Sequence, residues 1–485
     1  MEAPDLTTIL PEIIIAATAL LVLLVEPFLK ADKTAVIALA LVGVLASAVV
    51  AIALGGEQRS AFSGMVVLNT YAVFFKVLFA LAAFITILMS PRYLEVGERH
   101  LGEYYALVLF ALVGMNLLAA ARDFVAFYVA LELMAISSYL LAGFYRYRIK
   151  SNEASLKYFI TGVFASAFTL FGISLVYGLT GQTNFQAINT ALVGAGNFTI
   201  LLFATTMVVA GLGFKVSIAP FHMWTPDVYQ GAPTPVAAFF SVGPKAAAFS
   251  AILIIFATAF EASREFWSTL FVVLSVLTMF VGSVMAIVQS NMKRMLAYSS
   301  IAHVGYLVAG LAAMGRGLSS LAGEAIMLYL AAYTVMNLGA FGILTYLKSQ
   351  VPGDFDYSLK SFAGLGRRSP WAGVLLSLFL FSLTGIPGTA GFIGKFYLFT
   401  AVVRADLTWL AVVAVIFSAI SAYYYLRLMV YMFFKEPEVE FKVGEPIQGS
   451  MAAAIALSAA GVLFVGLLPS WVWDNAIRAF TNFFG

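Results

Sequence analysis

Residues 211–249 read GLGFKVSIAPFHMWTPDVYQGAPTPVAAFFSVGPKAAAF, and they lie between two long apolar runs. The stretch holds five prolines, two lysines, a histidine and an aspartate. Unwound backbone at membrane depth is tolerated only where protein or a wet cavity surrounds it. We therefore expect an interrupted membrane helix here, with Lys215 beside the interruption.

The composition of the whole chain supports a membrane location. Of its 485 residues, 62% are hydrophobic and 11% are charged, and the mean hydropathy is +0.97. A soluble chain of this length needs more surface charge, so we expect a polytopic membrane protein. Because there is no cysteine, this chain cannot hold a disulfide, an iron–sulfur cluster or a thiolate metal site.

Long apolar runs set the fold class. About 20 apolar residues are needed to cross the hydrocarbon core, and continuous apolar runs lack the two-residue alternation of a membrane β-barrel. We predict an all-α polytopic membrane protein with about 14 transmembrane helices. The spans lie near 9–29, 35–54, 68–90, 104–120, 123–145, 154–179, 197–220, 229–258, 267–289, 294–313, 319–347, 370–403, 406–434 and 450–472.

The basic residues of the loops predict the orientation. Fifteen lie on one side of the predicted spans and six on the other. By the positive-inside rule the richer side faces the cytoplasm, which places both termini outside. The cytoplasmic set is Lys30, Lys33, Arg92, Arg99, Arg146, Arg148, Lys150, Lys293, Arg294, Lys348, Lys360, Arg367, Arg368, Lys435 and Lys442.

The remaining basic residues fall within predicted spans, where an ionised side chain costs at least ~2.5–3.5 kcal/mol. They are Lys76, Lys157, Lys215, Lys245, Lys395 and Arg427. Glu132 is the acidic residue nearest the middle of a span. Such residues are functional candidates, and Lys245 lies too deep in its span to snorkel easily.

Structural roles are open alternatives for several of these residues. Lys76, Lys157 and Arg427 could instead extend their charged ends toward a membrane interface. Lys215 and Lys395 could instead bond carbonyls that the helix breaks set free. Glu132 has the alternative of being only a structural partner for one lysine. His303 could instead be a packing residue whose hydrogen bonds are satisfied, and we keep it as a secondary functional candidate.

The second interruption lies in the overlong run 370–403, where LTGIPGTAGFIGKF places Pro387 between two glycines and ahead of Lys395. Two interrupted helices, each with a lysine nearby, fit the pattern of ion-transport sites. The interrupted spans are the seventh and the twelfth, five spans apart.

Two local similarities share this offset. SSYLLAGF at 137–144 resembles HVGYLVAG at 303–310, and EASLKYF at 153–159 resembles EAIMLYL at 324–330. An odd offset makes the two units run in opposite directions across the membrane. We predict inverted five-helix repeats over 104–258 and 267–434, preceded by helices 1–3 in 1–103 and followed by a cytoplasmic loop and last helix in 435–485.

Three motifs resemble the antiporter-like membrane subunits of respiratory complex I, the NADH:quinone oxidoreductase. They are FKVSIAPFHMWTPDVYQGAPTPV, NMKRMLAYSSIAHVGYL and LTGIPGTAGFIGKFYLF. The resemblance runs through all the predicted spans, and WTPDVYQGAP favours the N-type branch of the family.

The resemblance implies a proton-translocation unit with two half-channels. By motif, Glu132 matches the glutamate of the fifth helix and Lys215 the lysine of the broken seventh helix. Lys245 matches the connecting position of the eighth helix, and Lys395 the lysine of the twelfth. Lys157 matches a sixth-helix lysine near the Glu–Lys pair. Since burial favours a neutral lysine and a nearby carboxylate favours a charged one, separation of the pair would release a proton.

The resemblance also implies what surrounds the chain. NADH, flavin, iron–sulfur clusters and quinone are expected in other subunits, and no cofactor or metal is expected in this chain. The expected partners are other membrane and peripheral subunits of complex I, including other antiporter-like subunits, together with the lipid bilayer and no nucleic acid. The expected location is the bacterial cytoplasmic (inner) membrane.

Three alternatives in function stay open from the sequence. The first is a subunit of a multi-subunit cation/proton antiporter, which shares the fold and the lysines. The second is a non-transporting membrane scaffold, which needs no buried lysines. The third is a quinone-site oxidoreductase subunit, for which the sequence shows no cofactor ligands.

Overall fold

A computed structural model describes residues 5–29, 34–95, 101–192, 198–317, 319–351, 355–437, 447 and 449–484. Four of the basic residues in the predicted cytoplasmic set lie outside these ranges, namely Lys30, Lys33, Arg99 and Lys442. Within the described ranges the chain is almost wholly helical. The helices are α1 Leu10–Val25, α2 Thr34–Leu54, α3 Thr70–Met89, α4 Pro91–Glu95, α5 Leu101–Ala120, α6 Phe124–Ala142, α7 Ile149–Thr180, α8 Phe185–Leu192, α9 Phe198–Val216, α10 Trp224–Gly231, α11 Thr234–Ala257, α12 Arg264–Ile287, α13 Met292–Met314, α14 Ser319–Ser349, α15 Leu365–Arg368, α16 Pro370–Thr384, α17 Ala390–Arg404, α18 Thr408–Phe434, α19 Gly449–Leu467 and α20 Pro469–Phe484.

The number of membrane spans agrees with the sequence. In the described ranges, thirteen helices are long and apolar enough to cross a membrane. The remaining predicted span, 370–403, is divided into the apolar helix α16 and the following helix α17. The prediction of an all-α polytopic membrane protein with about 14 spans is confirmed.

The helices arrange around a buried centre. Helices α11, α13 and α14 are buried along almost their whole length. Exposed apolar side chains such as Val49 on α2, Phe164 on α7 and Ile416 on α18 lie on the outside, as expected of surfaces that face lipid. The two halves pair their helices alike. Helix α5 packs on α6 as α12 packs on α13, and α7 packs on both pieces of the first broken helix, α9 and α10, as α14 packs on both pieces of the second, α16 and α17.

The first predicted interruption separates α9 from α10. The chain leaves α9 at Ser217, whose φ of 71° is in the left-handed region. Other side chains satisfy the unwound segment: the Trp224 indole donates to the Phe214 carbonyl at 2.9 Å, and the Ala219 amide donates to the Thr278 hydroxyl at 3.0 Å. The break is therefore enclosed by protein, as membrane depth requires.

The second interruption separates α16 from α17. Gly385 and Gly388 have φ of 92° and 86°, a region that glycine enters at little cost. The Gly391 amide donates to the Ser382 hydroxyl at 3.1 Å, which ties the start of α17 to the end of α16. Both breaks thus lie at the predicted prolines and glycines.

Some small elements were not expected from the sequence. A two-stranded antiparallel sheet pairs β1 Arg59–Ala61 with β2 Val66–Leu68. The short helix α8 and the last helix α20 were also missed. Helix α20 packs on α3 and α14, and the Phe480 ring lies so close to Gly323 that a Cβ there would be 2.2 Å from it.

Candidate proton-translocation site

Lys215 lies at the end of α9, two residues before the break at Ser217. Its side chain is 4% exposed. The ammonium donates to the Tyr139 hydroxyl at 3.2 Å and lies 5.5 Å from the centre of the same ring. Gly162 makes room for this tyrosine, because a Cβ there would be 2.1 Å from the Tyr139 hydroxyl. Lys215 is thus held by a hydroxyl and an aromatic face.

Glu132 lies two helical turns before Tyr139 on α6. Its carboxylate accepts a bond from the Ser166 hydroxyl of α7 at 2.5 Å. It makes no ion pair with Lys215 within 4.0 Å, although the two charges still interact through space. The structure therefore brings the predicted pair into one region without direct contact. A hydroxyl contacts each member of the pair, Ser166 at the carboxylate and Tyr139 at the ammonium.

Lys245 is the deepest of the three lysines on the broken and neighbouring helices. It lies on α11, directly after Pro244, and is 3% exposed. Its ammonium donates to the Ser300 hydroxyl of α13 at 2.5 Å and lies 5.5 Å from the Tyr229 ring centre. A cavity of about 10 Å³ adjoins Lys245 and His303, which is about the room that one water needs.

His303 is buried three residues after Ser300 on α13. One ring nitrogen is 2.6 Å from the Tyr329 hydroxyl, and the other is 3.4 Å from the Tyr425 hydroxyl. Tyr425 in turn shares a hydrogen bond with Ser299. The imidazole therefore has a polar partner on each side. His303 is close to both lysines, since it lines a small cavity together with Lys245 and its ring is near that of Tyr306, which Lys395 contacts.

Lys395 lies on the first turns of α17 and is 5% exposed. Its ammonium donates to the carbonyls of Leu383 and Thr384 at 3.0 and 2.8 Å and to the Ser418 hydroxyl at 2.8 Å. It also lies 5.3 Å from the Tyr306 ring centre. The structure therefore gives Lys395 the capping contacts that the sequence left as an alternative, since it closes the end of α16.

One face of α13 connects the second and third lysines. Ser300, His303 and Tyr306 are spaced three residues apart, so they lie close together on that face. Ser300 contacts Lys245 and Tyr306 lies over Lys395, while the His303 and Tyr306 ring centres are 5.6 Å apart. The arrangement places a run of hydroxyl and imidazole groups between the two lysines.

Aromatic rings connect the first lysine with the second. Tyr139 is in edge contact with Tyr158, with ring centres 4.8 Å apart, and Tyr158 stacks on Trp224, with ring centres 4.3 Å apart. Trp224 then lies 6.3 Å from Tyr229, the ring beside Lys245.

Lys157 is not part of this buried set. Its side chain is 45% exposed and pairs with Glu153 at 2.7 Å and Asp227 at 2.8 Å. Asp227 also pairs with Arg294 at 2.6 Å. Burial raises the pKa of the Asp227 carboxyl, but the bonds from Lys157 and Arg294 outweigh it and hold that pKa below its usual value. The network ties the helix α10 to α7 and α13. Lys157 contacts neither Glu132 nor Lys215.

Sequence reasoning missed a buried ion pair between α1 and α3. Lys76 and Glu12 are 2.7 Å apart, and their side chains are 1% and 4% exposed. The snorkelling alternative for Lys76 is therefore wrong. Arg427, by contrast, donates to the Ile287 and Gln289 carbonyls and closes the end of α12. The sequence signal for the pair is that Glu12 falls within the predicted span 9–29 and Lys76 within 68–90.

Lys293 was assigned to a loop but lies buried in the first turn of α13. Its ammonium donates to the carbonyls of Gln230 and Ala232 at 3.1 and 2.7 Å and lies 5.2 Å from the Tyr357 ring centre. It therefore holds the junction between α10 and α11. Hydropathy places a lysine at a helix end but does not show what covers it.

Comparison with known proteins gives concordant results. The family model described as NADH:quinone oxidoreductase/Mrp antiporter, TM, matches residues 121–421. NADH-quinone oxidoreductase subunit N of Trichlorobacter lovleyi is 44% identical over 479 residues, covering 98% of this chain and 97% of that protein.

Solved structures agree with that relationship. A chain in respiratory complex I from Thermus thermophilus with bound aureothin is 34% identical, with a TM-score of 0.80, covering 96% of this chain and 99% of that one. A chain of the Mrp complex from Dietzia sp. DQ12-45-1b has a TM-score of 0.81 at 22% identity, covering 99% of this chain and 97% of that one. The second likeness concerns the fold alone.

Proposed function

Because this chain belongs to the NADH:quinone oxidoreductase/Mrp antiporter membrane family, and within it to subunit N of NADH-quinone oxidoreductase, we propose that Glu132, Lys215, Lys245 and Lys395 form its proton relay. The chain is a proton-translocating membrane subunit of that enzyme and works within a multi-subunit complex. What we propose beyond this is the set of residues that carries the proton.

The observation that carries the proposal is the surroundings of Lys245. A fully buried lysine with a hydroxyl as its hydrogen-bonding partner is costly to keep charged, because desolvation favours the neutral form. Such a group accepts and releases a proton in response to small changes nearby. A scaffold has no need of this arrangement at the centre of the protein.

The first half of the relay is gated by Glu132 and Lys215. A direct ion pair would stabilise the ammonium, whereas separation favours its deprotonation. The arrangement in the structure, with Glu132 on Ser166 and Lys215 on Tyr139, corresponds to the separated state. If Glu132 or Lys215 left its hydroxyl partner and moved toward the other, the ion pair would form, and the reverse movement would break it.

The second half runs along α13 from Lys245 to Lys395. Ser300, His303 and Tyr306 supply groups that both donate and accept hydrogen bonds, so they can pass a proton between the lysines. Each proton moved against 100 mV requires ~2.3 kcal/mol, a scale that rearrangement of a charge pair in a low-dielectric site can supply. His303 is a relay residue in this proposal, whereas Lys157 lies outside the relay.

The orientation and the location of the redox chemistry complete the proposal. The excess of basic residues in one set of loops favours a cytoplasmic face there, with both termini outside and the inner membrane as the location. NADH, flavin, iron–sulfur and quinone chemistry belongs to other subunits. The domain division into 1–103, 104–258, 267–434 and 435–485 follows from the two helix repeats.

The test uses the purified complex that contains this subunit, reconstituted into sealed vesicles. Glu132→Gln and Lys215→Ala each remove one member of the pair, so we expect proton pumping and the coupled NADH oxidation to fall together. Lys435→Gln is the control, because Lys435 is exposed at the end of α18. Wild-type pumping in both variants would leave the pair with a structural role only.

The antiporter alternative makes a different prediction in the same vesicles. Proton movement would then depend on sodium in the absence of NADH. The subunit N relatives, at 44% identity over nearly the whole chain, favour the redox-coupled reading.

A further inference from the structure

A basic cavity lies at the face of the protein where the loops are rich in lysine and arginine. Its volume is about 600 Å³. The α6–α7 connection, the α10–α11 junction, the start of α13 and the segment around Tyr357 surround it. Four basic residues line it, namely Arg148, Lys150, Lys293 and Lys348. None of them belongs to the proposed relay.

The charge of the cavity is strongly unbalanced. Asp356 is the one acidic residue among its described lining residues, and its carboxylate already accepts bonds from the Ser358 amide at 3.0 Å and the Ser358 hydroxyl at 2.5 Å. The Lys150 side chain is exposed and has no ion pair or hydrogen bond to any described residue. The described lining of the cavity therefore carries more basic than acidic side chains, and the exposed Lys150 ammonium is available to an anion.

Lys293 supplies a positive charge at the base of the cavity. It is 2% exposed and donates to two backbone carbonyls, those of Gln230 and Ala232. An ammonium has three hydrogens to donate, so one remains for a ligand. The two carbonyl bonds stabilise the ammonium form of Lys293, which burial alone would disfavour. A basic group fixed in this way attracts an anion that enters from the mouth.

The mouth of the cavity is apolar as well as basic. Tyr147 and Ile149 also line it, and they are 93% and 84% exposed. They alternate in sequence with Arg148 and Lys150, at the point where the long membrane helix α7 begins. Large exposed apolar side chains beside basic ones are typical of contact with a lipid, since a free inorganic anion makes no favourable contact with apolar groups.

We propose that this cavity binds the phosphate headgroup of an anionic phospholipid. Lys150 and Arg148 contact the phosphate at the mouth and Lys293 attracts it from the base, while Tyr147 and Ile149 pack against the acyl chains. Basic pockets between membrane helices bind anionic lipid headgroups in this manner. The bound lipid would adjoin the α10–α11 junction, at the opposite end of α10 from the first helix break.

The test measures lipid capture by the whole purified complex after removal of its lipids. A photoreactive p-benzoylphenylalanine replaces Tyr147, which is exposed at the mouth, and the complex is titrated with phosphatidylglycerol or with phosphatidylcholine. Light-induced adducts on this subunit are quantified by mass spectrometry. We expect adducts with phosphatidylglycerol at lower lipid concentrations than with phosphatidylcholine.

Variants then locate the charge that is responsible. A basic residue near an anionic lipid contributes about 1 kcal/mol, so Lys150→Gln should raise the half-maximal phosphatidylglycerol concentration about fivefold, and Arg148→Gln with Lys150→Gln about 30-fold. Since Lys150 has no partner among the described residues, its replacement should leave assembly intact. Lys435→Gln, an exposed charge outside the cavity, should have no effect.

Three results would overturn the proposal. One is capture that does not distinguish the two lipids or respond to the Lys150 and Arg148 variants. The second is an adduct with another subunit in place of lipid, which would make this surface a protein interface. The third is protection of Lys150 from an amine-reactive reagent by inorganic phosphate but not by phosphatidylglycerol vesicles, which would identify free phosphate as the ligand.

Discussion

Replacement of Lys395 by arginine separates a proton-transfer role from a capping role. The lysine ammonium bonds the Leu383 and Thr384 carbonyls and the Ser418 hydroxyl, so it caps α16 whether or not it moves a proton. A guanidinium also donates several hydrogen bonds, but it does not lose its proton. We expect Lys395→Arg to assemble normally and to lose most of its proton pumping.

The magnitudes favour arginine over an apolar replacement. Hydrogen bonds to charged groups contribute roughly 1.5–3 kcal/mol each, so Lys395→Met would leave two carbonyls unsatisfied at a cost of about 3–6 kcal/mol. That cost is comparable with the whole stability of a domain, about 5–15 kcal/mol. Arginine keeps the donors. Its deprotonation near pH 7 costs at least ~7 kcal/mol, since its pKa exceeds ~12 and each unit is ~1.36 kcal/mol.

That deprotonation cost exceeds the work of moving one proton against 100 mV, which is ~2.3 kcal/mol. The assay is the ratio of protons pumped to NADH oxidised by the purified complex in sealed vesicles, with the amount of assembled complex measured in parallel. Lys435→Arg, the same change at an exposed lysine, is the control. Normal assembly with a wild-type ratio in Lys395→Arg would leave only the capping role.

Two further predictions concern the packing of the helices. Glu12→Gln should reduce the amount of assembled complex, because it leaves Lys76 buried and unpaired at a cost of about 3–5 kcal/mol. Adding Lys76→Met should restore part of the assembled complex. No recovery in the double variant would contradict this account. Gly211→Ala should lower the thermal unfolding temperature, because its Cβ would lie 1.9 Å from the Thr169 hydroxyl oxygen and overpacking costs about 1–3 kcal/mol. Gly178→Ala on α7, where a Cβ meets nothing within 4 Å, is the control, and equal unfolding temperatures would refute the close contact.

Most of the fold could be predicted from the sequence, because the hydrocarbon core demands long apolar helices. The run 319–347 was expected and the helix is Ser319–Ser349. The breaks were predictable because Pro387 and its neighbouring glycines cannot continue a helix. Helix α20 was not predicted, since most of 469–484 lies beyond the last predicted span, 450–472, and its polar residues make it too weakly apolar to be identified as a further span.

The site was predictable in its residues but not in its contacts. Deep lysines stand out in an apolar sequence, so Lys215, Lys245 and Lys395 could be identified as candidates from cost alone. The partners of a side chain depend on how each helix is rotated about its axis, which hydropathy leaves undetermined. For that reason neither the hydroxyls beside Glu132 nor the pairing of Glu12 with Lys76 followed from the sequence.

The most direct test of the relay is the number of protons pumped per NADH oxidised by a Lys245→Met complex in sealed vesicles. Lys245 lies between the other two lysines and bonds a serine hydroxyl rather than the carbonyls of a helix end, so methionine removes the titratable group while keeping most of the side-chain volume. The relay predicts an assembled complex in which pumping and coupled NADH oxidation both fall sharply. An assembled complex with the wild-type ratio and wild-type turnover would contradict it.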